Sequence, residues 1–160
     1  MSKHTISILV ENNSGALSRI AGLFSARGYN ISSLSVSETD DETMSRMTIV
    51  SRGDNDIIEQ ITKQLNRLID VVKVLDIAPE DMLEREMMLV TLSASNKNRH
   101  EIISLADVFD GKVLALSANE LTVRVSGEST ILDDFITMVR PYGIKEIARS
   151  GPIALGQARK

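Results

Sequence analysis

The stretch VENNSGALSRIAGLF, residues 10–24, joins an alternating apolar strand to an amphipathic helix through a polar turn that closes on Gly15. A glycine at a helix start leaves the first backbone N–H groups uncovered, and these groups, with the helix dipole, suit a small carboxylate. Asn, Ser and Gly are also the residues of an ordinary helix cap. In a compact βαβ unit, Asn30 at the start of the next strand would return beside the turn. The turn therefore either caps the helix or binds a ligand together with Asn30.

The composition limits the class of protein. With 160 residues, of which 42% are hydrophobic, the chain can bury one ordinary core or two small ones. No apolar run approaches the roughly 20 residues that cross a bilayer, and no secretory signal is recognisable, so we expect a cytoplasmic protein without a membrane partner. The chain has no cysteine, and His4 and His100 are isolated, so no metal site is expected. A net charge of -4 and 3% aromatic residues argue against nucleic acid as a partner.

Hydrophobic periodicity predicts the same order of elements, β α β β α β, in each half of the chain. In the first half, strands are predicted at 5–10, 31–38, 44–51 and 71–75, with Leu17, Ile20, Ala21 and Phe24 on one helical face. In the second half, strands are predicted at 85–94, 112–117, 121–126 and 144–148, with helices at 98–109 and 129–140. This order predicts an α+β fold of two ferredoxin-like domains in tandem, each with two helices on one face of a four-stranded antiparallel sheet.

The polar, proline-containing segment at 78–81 is the predicted boundary between the halves. We therefore predict an N-terminal domain at 1–78, a linker at 79–83 and a C-terminal domain with its tail at 84–160. Apolar residues on both faces of the strand at 85–94, such as Met88 and Leu89, indicate that the uncovered sheet face or an edge meets another chain. The tail at 151–160 has no clear period and is predicted to fold only against a partner.

No group of residues has the spacing of a catalytic centre. The acidic run of Asp40, Asp41 and Glu42 lies in a predicted hairpin tip, where such residues are usually solvated. No acid, base, nucleophile or phosphate-binding glycine loop converges elsewhere. We therefore expect no catalytic residue, no metal and no cofactor in this chain.

Several motifs resemble one known family over essentially the whole chain, the small regulatory subunit of acetolactate synthase, also called acetohydroxyacid synthase. They are ENNSGALSR at 11–19, GLFS at 22–25, RGYNI at 27–31, SRMTI at 45–49, QLNRLIDV at 64–71, and EIARSG at 146–151 followed by IAL. The resemblance implies an N-terminal ACT domain, which binds an effector and dimerises, and a C-terminal ACT-like domain. Many ACT domains have proline before the turn glycine, where this chain has Ser14.

The resemblance also implies a function in the biosynthesis of valine, leucine and isoleucine. Such a subunit forms a homodimer, activates a separate large catalytic subunit and confers feedback inhibition by valine. The reaction joins two pyruvates into 2-acetolactate and CO2, and the thiamine diphosphate, Mg and FAD belong to the catalytic subunit. The residues expected at the valine site are Asn12, Ser14, Gly15, Ala16, Leu17, Asn30 and Ile31.

One alternative function stays open at this point. ACT domains serve many partners, so the chain could be a free-standing amino-acid sensor that controls another enzyme or a transcription factor. Co-purification with a large thiamine enzyme distinguishes the two functions. The preferred branched-chain amino acid also stays open, because the size of the pocket depends on an interface.

Overall fold

The computed structural model describes residues 2–157, which form two compact units. The first unit comprises the residues up to Leu83 together with those from Ile153 onward, and the second runs from Glu84 to Pro152. Among the described residues, no helix is long and apolar enough to cross a membrane.

The first unit is a four-stranded antiparallel sheet with two helices on one face, as predicted. Its elements are β1 (Ser2–Glu11), α1 (Ala16–Ala26), β2 (Ile31–Glu38), β3 (Met44–Gly53), α2 (Asn55–Leu65) and β4 (Val71–Asp76). The strand order is β2-β3-β1-β4, so β2 and β4 are the edges. Alternate residues of the central strands, such as Ile6 and Ile49, pair across β1 and β3 and are fully buried beneath the helices.

The buried face of α1 agrees with the predicted one at Ile20 and Phe24 but not at Leu17. Leu17 was expected in the core but is 43% exposed, whereas Ala16, Ile20 and Phe24 are 5% exposed or less. Ala16 lies four residues before Ile20 and so continues the buried stripe of Ile20 and Phe24, whereas Leu17 lies about 100° further around the helix. Leu17 is thereby left at the surface.

The second unit repeats this fold. Its elements are β5 (Met82–Ser93), whose first two residues belong to the first unit, α3 (Arg99–Val108), β6 (Lys112–Leu116), β7 (Glu120–Gly127), α4 (Ser129–Val139) and β8 (Ile144–Arg149), with strand order β6-β7-β5-β8. Met88 and Val90 lie in the core, while Met87 and Leu89 on the other face of β5 are 46% and 38% exposed. The two faces are thus both apolar, and the covering of the outer face by another chain stays a prediction.

The C-terminal segment returns to the first unit, which differs from its predicted place in a domain at 84–160. Ile153–Gly156 forms a further strand, β9, and Ala154 is 4% exposed. The Ala154 N–H donates to Thr48 Oγ1 at 3.3 Å, and the Gln157 N–H donates to the Asp81 carbonyl at 2.5 Å. The prediction that the tail orders only against a partner is therefore wrong for 153–157, because acceptors within the same chain satisfy its backbone. Residues 158–160 lie outside the described part.

A buried carboxylate organises one end of the second unit. The Glu86 side chain is 3% exposed and accepts hydrogen bonds from Arg149 Nε at 2.7 Å, Arg149 Nη2 at 3.0 Å and Ser129 Oγ at 2.7 Å. Arg149 Nη1 also donates to Asp133 at 2.7 Å. Burial alone would raise the pKa of Glu86, but the hydrogen bonds from Arg149 and Ser129 outweigh it, so the pKa lies below its ordinary value. The carboxylate is held ionised in the folded unit.

Folding stability is expected to fall in acid because of this carboxylate. A pKa below the ordinary 4.5 contributes stability that is complete above that pH and is lost as the pH falls through the folded value. Urea unfolding from about pH 6 to about pH 3 measures the loss in the wild-type chain and in Glu86→Gln, which cannot titrate there. The variant should lose less stability over this range. An equal loss in both chains would contradict the assignment to Glu86.

Candidate functional site

Residues 12–15, the β1–α1 turn, have a backbone geometry distinct from a side-chain cap. Gly15 occupies the N-cap position in the left-handed conformation, and no side chain of the described residues caps α1. The Ala16 N–H instead donates to the Asn13 carbonyl at 3.1 Å. Among the hydrogen bonds of residues 2–157, none satisfies the N–H of Leu17, a first-turn group. The turn therefore leaves an N–H donor open to a ligand.

Asn12 connects the turn to the C-terminal end of β2, at Glu38. Its N–H donates to the Thr43 carbonyl at 2.7 Å, which fixes the backbone against the β2–β3 hairpin. Its side-chain amide donates to Glu38 Oε1 at 3.3 Å and to the Glu42 carbonyl at 3.4 Å. Both side-chain bonds are long and exposed, so the amide can turn toward a ligand at little cost.

Asn30 lies at the opposite end of the sheet from the turn. Its carbonyl accepts from Ser51 Oγ at 2.7 Å at the start of β2, whereas Glu38, the neighbour of Asn12, ends the same strand. Seven residues of strand separate the two ends, roughly 20 Å. The expectation that Asn30 returns beside the turn within one chain is therefore wrong, because α1 runs back along the sheet before β2 begins.

The remaining residues of the predicted valine site also fall into two groups, one at the turn and one at the start of β2. Ser14 and Gly15 are exposed in the turn, Leu17 is exposed on α1, and Ala16 is buried in the core. Ile31 is half-buried and lies with Asn30 at the other end of β2. One chain thus brings together the turn residues of the predicted site but not Asn30 and Ile31.

Asp70 lies in the QLNRLIDV motif at 64–71 but was not among the residues expected at the site. Its side chain is 8% exposed and accepts from Asn13 Nδ2 at 3.0 Å and from Arg19 Nε at 2.9 Å, with a further bond from Arg19 Nη2. Its carbonyl accepts from the Glu11 N–H at 2.7 Å. The hydrogen bonds from Asn13 and Arg19 lower the pKa of the Asp70 carboxyl. Because 51 residues separate Arg19 from Asp70, no local pattern could have found the pair.

The acidic hairpin tip has a structural role. Asp41 Oδ1 accepts from the Thr43 N–H at 2.9 Å and from Thr43 Oγ1 at 2.6 Å, and these bonds lower the pKa of Asp41. Across residues 2–157, no three His, Asp or Glu side chains are grouped so that they could hold a metal ion.

The edge strand β2 carries exposed apolar side chains. Leu34 and Val36 are 37% and 43% exposed, and they stand opposite the buried Ile49 and Met47 of β3, on the side that the helices cover. These two side chains lie on one face of the strand and form an apolar patch, which we call the β2 edge surface. An edge strand with apolar residues and unpaired backbone groups is typical of a contact with another chain.

Comparisons with known proteins agree with the two units. Residues 6–73 match the family described as an AHAS small subunit-like ACT domain, and residues 85–158 match the family described as the small subunit of acetolactate synthase. The chain is 46% identical over 158 residues to a probable acetolactate synthase small subunit of Methanothermobacter thermautotrophicus, covering 98% of this chain and 94% of the relative. It is 45% identical over 159 residues to the acetolactate synthase isozyme 3 small subunit of Escherichia coli, covering 99% and 98%.

A solved structure is similar over the full length. The crystal structure of the acetolactate synthase small subunit from Thermotoga maritima superposes with a TM-score of 0.91 at 35% sequence identity, covering 100% of both chains. This likeness, together with the family matches, confirms the predicted pair of ferredoxin-like domains and the resemblance that the motifs carried.

Proposed function

This chain belongs to the family of acetolactate synthase small subunits, and we propose that it activates a separate catalytic subunit and makes that subunit sensitive to valine. The observation that carries the proposal is the match of both halves, at 6–73 and 85–158, to that family. Free-standing sensors share only the general ACT fold, and a full-length match to named small subunits favours the regulatory function over them.

We propose that two chains dimerise through antiparallel pairing of their β2 strands. The β2 edge surface supports this, since a second copy would cover Leu34 and Val36 and pair the open strand. Antiparallel pairing would also place Asn30 of the second copy near Glu38, beside Asn12 of the first. Because Asn12 and Asn30 are far apart within one chain, the site would need residues from two chains.

Valine would bind where these groups meet. The open N–H of Leu17 and the left-handed turn at Gly15 suit the carboxylate, while Asn12 and Asn30 of the second copy fix the polar end. The isopropyl group would contact the β2 edge surface. Because the ligand touches both chains, it favours one arrangement of the dimer, and a coupling of about 1 to 3 kcal/mol is enough for clear inhibition.

The chemistry would belong to the partner. We propose that the catalytic subunit holds thiamine diphosphate, Mg and FAD and joins two pyruvates into 2-acetolactate, in the cytoplasm. The absence of a phosphate-binding glycine loop from the sequence supports this division.

Reconstitution tests this function directly. A cognate catalytic subunit is assayed with and without this chain, and valine is titrated in both cases. We expect the chain to raise the rate of acetolactate formation and to make the reaction inhibitable by valine. An unchanged rate and an unchanged valine response, with the chain folded and in excess, would overturn the proposal.

A further inference from the structure

Asp70 contacts three elements at the base of the β1–α1 turn. Its carboxylate binds Asn13 of the turn and Arg19 of α1, and its carbonyl binds the N–H of Glu11 at the end of β1. With only 8% of its side chain exposed, the carboxylate interacts with these donors rather than with solvent. The loop before β4 thus fixes the turn from a position 51 or more residues away in sequence.

Arg19 transmits this constraint to the backbone of the turn. Its Nη2 donates to the Ser14 carbonyl at 3.4 Å while Nε and Nη2 bind Asp70. Its Nη1 lies close over Gly15, because a Cβ built there would stand 3.1 Å from that nitrogen. A shift of the guanidinium would therefore change the backbone position of Ser14 and Gly15.

We propose that Asp70 is a positioning residue of the effector site, which holds the β1–α1 turn in its binding geometry through Asn13 and Arg19. The proposal rests on the proposed valine site and adds a residue that does not itself touch the ligand. A turn held in its binding geometry before the ligand arrives avoids the ordering cost of binding, so loosening it lowers affinity. Asp70 thereby links the α2–β4 loop to the site.

Asp76, at the other end of β4, provides a matched control. It accepts from His4 Nδ1 at 3.1 Å and so also binds a side chain of β1, but it lies far from the turn. Asp70→Asn and Asp76→Asn remove the same charge from the two ends of one strand. The change in net charge is common to both variants, whereas only Asp70, at 8% exposure against 36% for Asp76, is buried against the turn.

Titration calorimetry with valine on the full-length folded chain is the first measurement. We expect Asp70→Asn to bind valine about tenfold more weakly than the wild-type chain, and Asp76→Asn to bind it equally well. A merely stabilising Asp70 would lower the unfolding temperature and leave the affinity of the folded chain unchanged. Wild-type affinity in Asp70→Asn would overturn the inference.

A double-mutant cycle tests whether Asp70 affects valine binding through Asn13. The Asn13 amide binds Asp70, so Asn13→Ala should cost little further affinity in the Asp70→Asn chain. The Asn12 amide binds Glu38 and Glu42 instead. Asn12→Ala should therefore lower the affinity for valine as much in the Asp70→Asn chain as in the wild-type chain. Additive losses for Asn13 and Asp70 would contradict the mechanism.

Hydrogen exchange separates this inference from the proposed function. Without any ligand, the hydrogen-bonded amides of Asn12, Asn13 and Ala16 should exchange about tenfold faster in Asp70→Asn than in Asp76→Asn. If the wild-type chain fails to bind valine, the proposed function is wrong, and the exchange rates alone decide whether Asp70 holds the turn. Equal exchange in both variants would refute the positioning role.

Discussion

A mixed dimer of one Asn12→Ala chain and one Asn30→Ala chain is expected to regain one valine site of wild-type affinity. In a homodimer of either variant, both sites are weakened. In the proposed dimer, each site takes Asn12 from one chain and Asn30 from the other. One site of the mixed dimer then lacks both side chains, and the second has both intact. Each homodimer should bind valine about 10- to 100-fold more weakly than the wild type, as expected for hydrogen bonds to a charged ligand.

Two affinity tags isolate the mixed dimer, and titration calorimetry counts its sites. The expected result is one site per dimer with wild-type affinity. Asn119→Ala, which changes an exposed asparagine of the second unit, is the matched control and should bind as the wild type does. Wild-type affinity in either single variant would exclude its residue from the site, and a mixed dimer without a restored site would contradict the two-chain arrangement.

Arg149→Met is expected to destabilise the second unit by about 3 to 5 kcal/mol, because it leaves the buried Glu86 carboxylate without its cation. The pKa of Glu86 should rise once the hydrogen bonds from Arg149 are lost. Hydrogen exchange of peptides from 84–152 measures the loss. Replacing Glu86 by Gln in the same chain should recover part of the stability, since no charge is then buried.

Lys145→Met is the control for this change. Lys145 is also a cation of β8, and it pairs with Glu120, but both side chains are 45% exposed. An exposed pair of this kind contributes at most about 1 kcal/mol. Equal losses of stability in Arg149→Met and Lys145→Met would show that the burial of Glu86 is not the cause of the destabilisation.

Elements and fold could be predicted from the sequence because their causes are local. The alternation of apolar residues predicts the strands, and Ile20 and Phe24 at helical spacing predict α1. Polar turn residues with Gly15 predict where α1 begins. The exposure of Leu17 could not be predicted, since Ile20 and Phe24 are equally consistent with a buried face that continues to Ala16, and Leu17 lies about 100° from Ala16 around the helix.

The candidate site could be predicted only in part. Its turn is a contiguous segment, and the motifs there were enough to find it. Asn30 was misplaced within the chain although the predicted βαβ order implies its position, since a crossover helix runs back along the sheet and the next strand then starts at the end opposite the turn. The return of Ala154 to Thr48 was missed, since the covering of a sheet face by a distant strand leaves no periodic signal.

By itself the sequence determined two βαββαβ halves, a glycine turn at the start of the first helix and membership of one family, because periodicity, turn residues and motifs act over short stretches. Only the tertiary structure decided that Asp70 holds that turn and that Asn12 and Asn30 lie at opposite ends of β2. Both follow from contacts between segments far apart in the chain. Such contacts depend on how strands are ordered and paired, which local residue patterns do not specify.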